Sequence, residues 1–362
     1  MRDAQPGTIG ADTLRKRVFS MPTLIATVVG AGLFAFALWR LFDFEWPELW
    51  QSIRSINPWL YLLAVAVYYL SFWFRGWRWR LIARTANLDG ENGARVPGIT
   101  RMGGIILMGW FANSVAFLRL GDAYRGWALS RETRTGFPAS LGTVLAERVQ
   151  DMAAVLVLVI IAAIWVTVDH RANIPGGVLI AAFALVGALI AGLLVMRFFG
   201  EKVSRFLPLR LQRAYLNFQA GTLGSFRSRD LPAQFALGVT GWMLEIGRFY
   251  LVAAALGIDM SFGVIMFAAL ANAMLTTIPT PGGFGFVEGG LAGLLILLGL
   301  RHPDALALTI VDRTISWLSV ILFGGILFFA WHAYRAKVNG AGVVGSTTNP
   351  ALPADARSTE AD

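Results

Sequence analysis

Residues 276–290 read TTIPTPGGFGFVEGG, with two prolines, five glycines and a single carboxylate, Glu288. Apolar segments flank the stretch, Phe262–Ile278 before it and Gly290–Leu300 after it. Prolines and glycines break a helix, and hydrocarbon offers the freed backbone N–H and C=O groups no partner. Such backbone is tolerated at membrane depth only where protein encloses it or a wet cavity receives it. The stretch is therefore read as the tip of a helical hairpin that enters the membrane and returns. Pro279, Pro281, Gly282, Gly283 and Gly285 make the turn, and Glu288 restarts the helix.

The surrounding chain supports a membrane setting. Of its 362 residues 56% are hydrophobic and only 15% charged, and runs such as Thr23–Leu38 and Ala153–Val168 hold no charge. With their flanks these runs are long enough to cross roughly 30 Å of hydrocarbon. A soluble core would space the same residues with polar faces. The expected fold is an all-α polytopic membrane protein. The net charge of +9 comes almost wholly from arginine, lysine occurring only at Lys16, Lys202 and Lys337. Nucleic-acid binding would require a basic soluble module, and the sequence contains none. There are no cysteines, which excludes disulfides and thiolate metal sites. His170, His302 and His332 lie far apart without ligand-like neighbours at helical spacing, so no metal and no cofactor is expected.

Six spans are predicted, at Val18–Leu41, Trp59–Ile82, Ala139–Val168, Gly176–Phe199, Pro232–Leu256 and Asp304–Tyr334. Two interrupted segments, at about 101–137 and 262–300, are read as re-entrant hairpins. With both termini cytoplasmic, the inner segments hold 24 of the 31 lysines and arginines, and the outer loops hold only Arg40, Arg54, Arg171 and Arg301. Turning either hairpin into a single crossing would move arginine-rich loops outside, against the positive-inside bias. Residues 1–17 form a cytoplasmic arm leading into an uncleaved signal anchor, 18–337 the transmembrane domain, and 338–362 a disordered cytoplasmic tail. Segment 200–230 is basic with apolar residues at three/four spacing, as in a helix lying on the interface, although a solvated connector fits too. Trp46, Trp50 and Trp59 are placed at the outer interface, and Trp73, Trp77 and Trp79 at the inner one. Met102–Met108 and the Phe/Trp stripes are read as lipid-facing packing.

The interrupted segments resemble each other. Asn113, Leu120-Gly121-Asp122, Pro138 and Glu147-Arg148 follow in the same order as Asn272, Phe284-Gly285-Phe286, Pro303 and Asp312-Arg313. Proline and acid are nine residues apart both times, in PASLGTVLAE and PDALALTIVD, with Leu141 and Leu306 in register. Three predicted crossings separate the hairpins, so they would enter from opposite sides as an inverted-topology repeat. Chance resemblance between apolar segments is the alternative.

Charges inside spans cost several kcal/mol unless paired or hydrated, and so mark functional candidates. These are Glu147, Arg148 and Asp151 in one span, and Asp312 and Arg313 in its counterpart. Neighbouring residues on a helix point about 100° apart, so Glu147 and Arg148 need partners elsewhere. Glu245 and Arg248, spaced i, i+3, read as a structural salt bridge. Arg119 and Arg125 flank Gly121 and suit bidentate phosphate contact, or are ordinary positive-inside residues. Catalytic readings find no zinc-protease motif, no clustered Ser/His/Asp, no Walker motif and no dinucleotide fingerprint.

FRGWRWRLI at 74–82, RLGDAYRGWAL at 119–129, AERVQD at 146–151 and PTPGGFGFVEGGL at 279–291 resemble the flippase-like family, the transmembrane region of lysylphosphatidylglycerol synthase/flippase proteins. The resemblance covers roughly residues 20–335. It implies lipid translocation between leaflets, with two re-entrant hairpins facing each other. Residue by residue, it carries over to Arg119, Arg125, Glu147, Arg148 and Asp151 in the first half, and to Pro281, Gly282, Gly283, Gly285, Glu288 and Arg313 in the second. The sequence shows no aminoacyl-transferase domain, so lysyl-lipid synthesis is not implied.

The expected function is a non-enzymatic flippase or transporter of a phospholipid, glycolipid or polyprenyl-linked lipid, working by alternating access in a bacterial cytoplasmic membrane. The substrate-binding candidates are Arg119, Arg125, Glu147, Arg148, Asp151, Glu288, Asp312 and Arg313. The competing expectation is a non-transporting accessory subunit of a glycosyltransferase or lipid-modifying enzyme, with an intramembrane enzyme third.

Overall fold

The computed structural model describes residues 46–89, 95–116, 120–168, 176–226, 229–276, 283 and 285–346. The predicted arm and first span, Arg119, Pro279, Pro281, Gly282 and the end of the tail lie outside the described residues. Among the described residues all regular structure is helical. In chain order the helices are α1 (Trp46–Arg54), α2 (Pro58–Thr85), α3 (Ile99–Val115), α4 (Leu120–Thr133), α5 (Phe137–Val168) and α6 (Gly176–Arg205). There follow α7 (Leu209–Gly224), α8 (Leu231–Ala255), α9 (Phe262–Leu275), α10 (Phe286–Leu297) and α11 (His302–Arg313). Two π-helical turns, Thr314–Leu318 and Val320–Gly324, then lead into α12 (Gly325–Ser346). That last helix extends past residue 338, into what composition assigned to the tail.

Helix α2 starts at Asn57, whose side-chain oxygen accepts from the amides of Trp59 and Leu60 at 3.0 and 3.3 Å, with Pro58 at the first helical position. It packs along α8. The Asn57 amide donates to the Ala255 carbonyl at 2.8 Å, and Gln234 donates to Thr85 at 3.2 Å. The start of each helix therefore meets the end of the other, and the two run antiparallel. Around this pair sit two groups of similar order. Helix α2 is followed by the short packed pair α3–α4 and then by α5; helix α8 is followed by the short packed pair α9–α10 and then by α11.

Phe137–Val166 and the run His302–Arg335 are long and apolar enough to cross a membrane. Helices α2 and α8, of 28 and 25 residues, are of comparable length but carry buried charges. In α9 every residue from Gly263 to Asn272 is buried, as for a helix that is apolar all round and enclosed by protein. Met102 and Met108 of α3 are likewise interior, which corrects their reading as lipid-facing packing. Trp59, Trp50, Trp73 and Trp77 are exposed, whereas Trp79 is fully buried with its indole N–H donating to Thr143 at 3.1 Å, so it is not an interface marker. The first part of the 200–230 segment continues α6, and α7 packs on α5 and α6 while exposing Leu209, Leu211 and Leu216.

Candidate functional site

The two short pairs each contain a break, and each break is tied to the helix that follows. At the first, the Asn113 side chain accepts from the Gly121 amide at 2.8 Å. Only glycine fits there, because a Cβ would overlap the Gly109 carbonyl oxygen. The neighbouring Asp122 receives Arg148 of α5 through two bonds of 2.8 and 3.3 Å. At the second break Gly285 has φ of 85°, a conformation that favours glycine. Its amide donates to Glu288 at 2.7 Å, and the other oxygen of Glu288 receives Arg313 of α11 at 2.6 Å. Arg148 and Arg313, placed in register by the sequence repeat, thus do the same thing: each grips a carboxylate at the break of its own half.

The acids preceding these arginines are also used alike. Glu147 lies 3.5 Å from Arg78 of α2, and Asp312 pairs with Arg248 of α8. The acid of each motif therefore meets an arginine on the long helix that opens its half. Arg125 pairs with Glu147 and lies over the Trp79 ring at 4.4 Å. Arg78 pairs with Asp151 at 2.8 Å, and Trp242 donates to the same carboxylate at 3.2 Å. Glu245 joins Arg75 at 3.3 Å and Arg248 at 3.1 Å, linking the two long helices. Glu147 and Arg148, as their angular separation requires, have separate partners.

The cluster contains Arg75, Arg78, Arg125, Arg148, Arg248 and Arg313 against Asp122, Glu147, Asp151, Glu245, Glu288 and Asp312, so its charges cancel. The arrangement in space is less even. A cavity of about 160 Å³ lies among α2, α3, α5, α8, α9, α11 and the first π turn. Its wall presents Arg75, Arg148, Arg248 and Arg313, and one carboxylate, Glu245. The other five carboxylates are not among its lining residues. Aromatic rings hold three of these arginines: Arg75 lies between Trp110 and Trp242, at 5.1 and 5.2 Å, Arg248 over Tyr68 at 5.4 Å, and Arg313 over Trp317 at 5.4 Å. The result is a small, aromatic-walled space whose inner face is cationic.

Of the sequence-predicted site residues, Arg148, Arg313 and the turn residue Gly283 line the cavity. Arg125, Glu147, Asp151, Glu288 and Asp312 are in the ion-pair cluster but do not line it. Sequence reasoning passed over Arg75 and Arg78 by counting them with the cytoplasmic loops, although both are buried. It read Glu245–Arg248 as a structural bridge; the bridge forms, and both residues also line the cavity. Asp122 was treated only as part of the repeat. The signal for these residues was present: arginines three apart in α2, and an acid–arginine pair three apart in α8.

The sequence matches the family described as lysylphosphatidylglycerol synthase TM region over residues 23–324. A UPF0104 membrane protein of Methanocaldococcus jannaschii is 33% identical over 228 residues, which is 60% of this chain and 93% of that protein. One from Pyrococcus horikoshii is 22% identical over 338 residues, 85% of this chain and 96% of that protein. Over 87% of its length the chain is 25% identical to the glycosyltransferase AglD of Haloferax volcanii, the match taking in 55% of that enzyme. These relatives are archaeal and lend no support to a specifically bacterial membrane. Together with the helical architecture, the match identifies an integral membrane protein that belongs to the family of the lysylphosphatidylglycerol synthase transmembrane region.

Proposed function

We propose that the protein moves a membrane lipid between leaflets, its head group passing through the arginine-faced cavity while the acyl chains stay in the bilayer. The carrying observation is that corresponding elements of both halves, α2, α3 and α5 with α8, α9 and α11, converge on that one space. The antiparallel course of α2 and α8 and the shared wiring of Arg148 and Arg313 support an inverted repeat. In such repeats substrate sites lie where the halves meet, and rocking of one half against the other gives alternating access. In this reading both short pairs are re-entrant, six helices span, and both termini face the cytoplasm. The protein performs no covalent chemistry.

The second reading is an accessory role for a glycosyltransferase. It is favoured by the AglD match, where a related region makes up part of a protein named as an enzyme.

Reconstitution into proteoliposomes with a leaflet-resolved lipid assay separates the two. Faster head-group exchange for anionic or glycosylated lipids, lost in Arg148→Ala and Glu288→Gln, is the result expected of a transporter. Exchange no faster than in empty vesicles for every lipid tried would sink that reading.

A further inference from the structure

Buried polar atoms without a hydrogen bond are rare, and several gather around the ion-pair cluster. Three are donors, the Nε of Arg75, Arg78 and Arg125; three are acceptors, Gln150 Oε1, Asp151 Oδ2 and Asn272 Oδ1. All six residues are more than nine-tenths buried, and Arg75 and Asn272 line the cavity. Asp151 Oδ2 has Arg148 only as an ion-pair neighbour at 3.8 Å. An anion would serve only the donors, and a metal ion only the acceptors. Water both donates and accepts, and a buried water typically makes about three hydrogen bonds to such groups. A mixed set spread over α2, α4, α5 and α9 fits several waters and no single ligand.

From Asp151 the polar groups continue to one face of the protein. Gln150, the neighbouring residue of α5, donates to Gln234 near the start of α8 at 2.9 Å. Gln234 in turn donates to Thr85, the last residue of α2, at 3.2 Å. Both glutamines are buried, and Thr85 is half-buried. The opposite direction differs. Arg78 and Arg248 meet the matched acids Glu147 and Asp312, which sets α2 in register with α8. Two contacts agree with that register. Arg75 pairs with its own match, Glu245, and Arg78 crosses Gly238 just as Arg248 lies over that glycine's match, Tyr68. In this register Thr85 and Gln234 correspond to Ala255 and Ala64, while Gln150 corresponds to Ile315, all three buried. One half therefore has amides and a hydroxyl where the other has apolar side chains. Water replaces a neutral amide hydrogen bond at little net cost, but an apolar plug offers it no partner.

We propose that Gln150, Gln234 and Thr85 form a water inlet that wets the cavity from the face where α2 ends and α8 begins, and from that face only. Water advances by taking over the bonds these three make with one another. It then reaches the open acceptors and N–H groups of Asp151, Arg78 and Arg75 at the cavity wall. The side closed by Ala64, Ala255 and Ile315 stays dry. The inlet does not rest on the transport reading: it fills and drains the cavity whatever the cavity carries.

The test is X-ray radiolytic footprinting of the full chain in lipid nanodiscs, where both faces are open to bulk. Hydroxyl radicals formed from bound water oxidise the side chains beside it. Tyr68 and Trp79 are fully buried, so their labelling reports internal water. Rapid mixing with oxygen-18 water then times its exchange with bulk. Both rings should be labelled and take up the isotope, and Ile315 should stay unlabelled. Gln150→Leu and Gln234→Leu should each slow uptake about tenfold, as expected when one polar step is lost. A plug gives a readout independent of variant folding, since the cysteine variant is compared before and after capping. Capping Thr85→Cys with a bulky maleimide should slow uptake, and capping Ser55→Cys, exposed just before the start of α2, should not. Unlabelled Tyr68 and Trp79 in the unmodified protein would overturn the inlet. Equal slowing from both caps, or none from the Thr85 cap, would overturn its one-sidedness.

Discussion

At the first helix break two side chains share the work, Asn113 holding the Gly121 amide while Asp122 holds Arg148; at the second, the one side chain of Glu288 bonds both the Gly285 amide and Arg313. The first latch is also wetter. Asp122 and Arg148 are each 25% exposed, whereas Arg313 and Glu288 are 9% and 11% exposed. The same mechanical task, tying a break to the following helix through an arginine, is thus met by different residues at different depth. That difference explains why the sequence repeat is clear at proline, acid and arginine and blurred across the breaks. The arginines are in register, but the groups they grip are not.

Mutating the latches tests this asymmetry directly. Glu288→Ala should have the largest effect. It breaks a buried ion pair, at about 3–5 kcal/mol, and removes a helix cap worth about 1 kcal/mol. Glu288→Gln keeps an oxygen for the Gly285 amide and should recover only the smaller part. Both would be read as lowered melting temperatures in detergent, and equal losses for the two variants would refute the double role.

On the first side the effect should divide. Asn113→Ala should cost about 1 kcal/mol, the loss of a cap-like bond. Asp122→Asn should cost about 1 kcal/mol or less, because its pair is partly solvated and Arg148 keeps Asp151 at 3.8 Å. Their sum should fall short of the Glu288→Ala loss. A first latch as sensitive as the second would erase the comparison.

The helices were legible in the sequence because apolar run length is a strong signal. The observed α2, α5, α6 and α8 begin within two residues of the predicted spans at Trp59, Ala139, Gly176 and Pro232. The short pairs were legible because Gly and Pro interrupt apolar segments at 121 and at 279–285. The partners were less so. Arg75, Arg78 and Arg125 sit toward the ends of apolar runs, where arginine ordinarily marks the cytoplasmic side, and only the tertiary fold turns them inward. As buried ion-pair partners, these three arginines carry no information about sidedness. Asn272, a single amide in an otherwise apolar 14-residue helix, was visible but was used only to align the repeat.

The central claim is that the cavity between the halves opens to each side of the membrane in turn. The chain has no cysteines, so single ones can be placed without a background. Ser114→Cys on α3 and Ala273→Cys on α9 put a thiol on the cavity wall from each short pair. Labelling with a membrane-impermeant thiol reagent, applied to sealed vesicles from one face at a time, measures access directly. The account predicts that each cysteine reacts from both faces and that added lysophosphatidylglycerol slows both reactions. Reaction of both cysteines from one face only, whatever the lipid, would contradict it and leave a one-sided cavity suited to an accessory subunit.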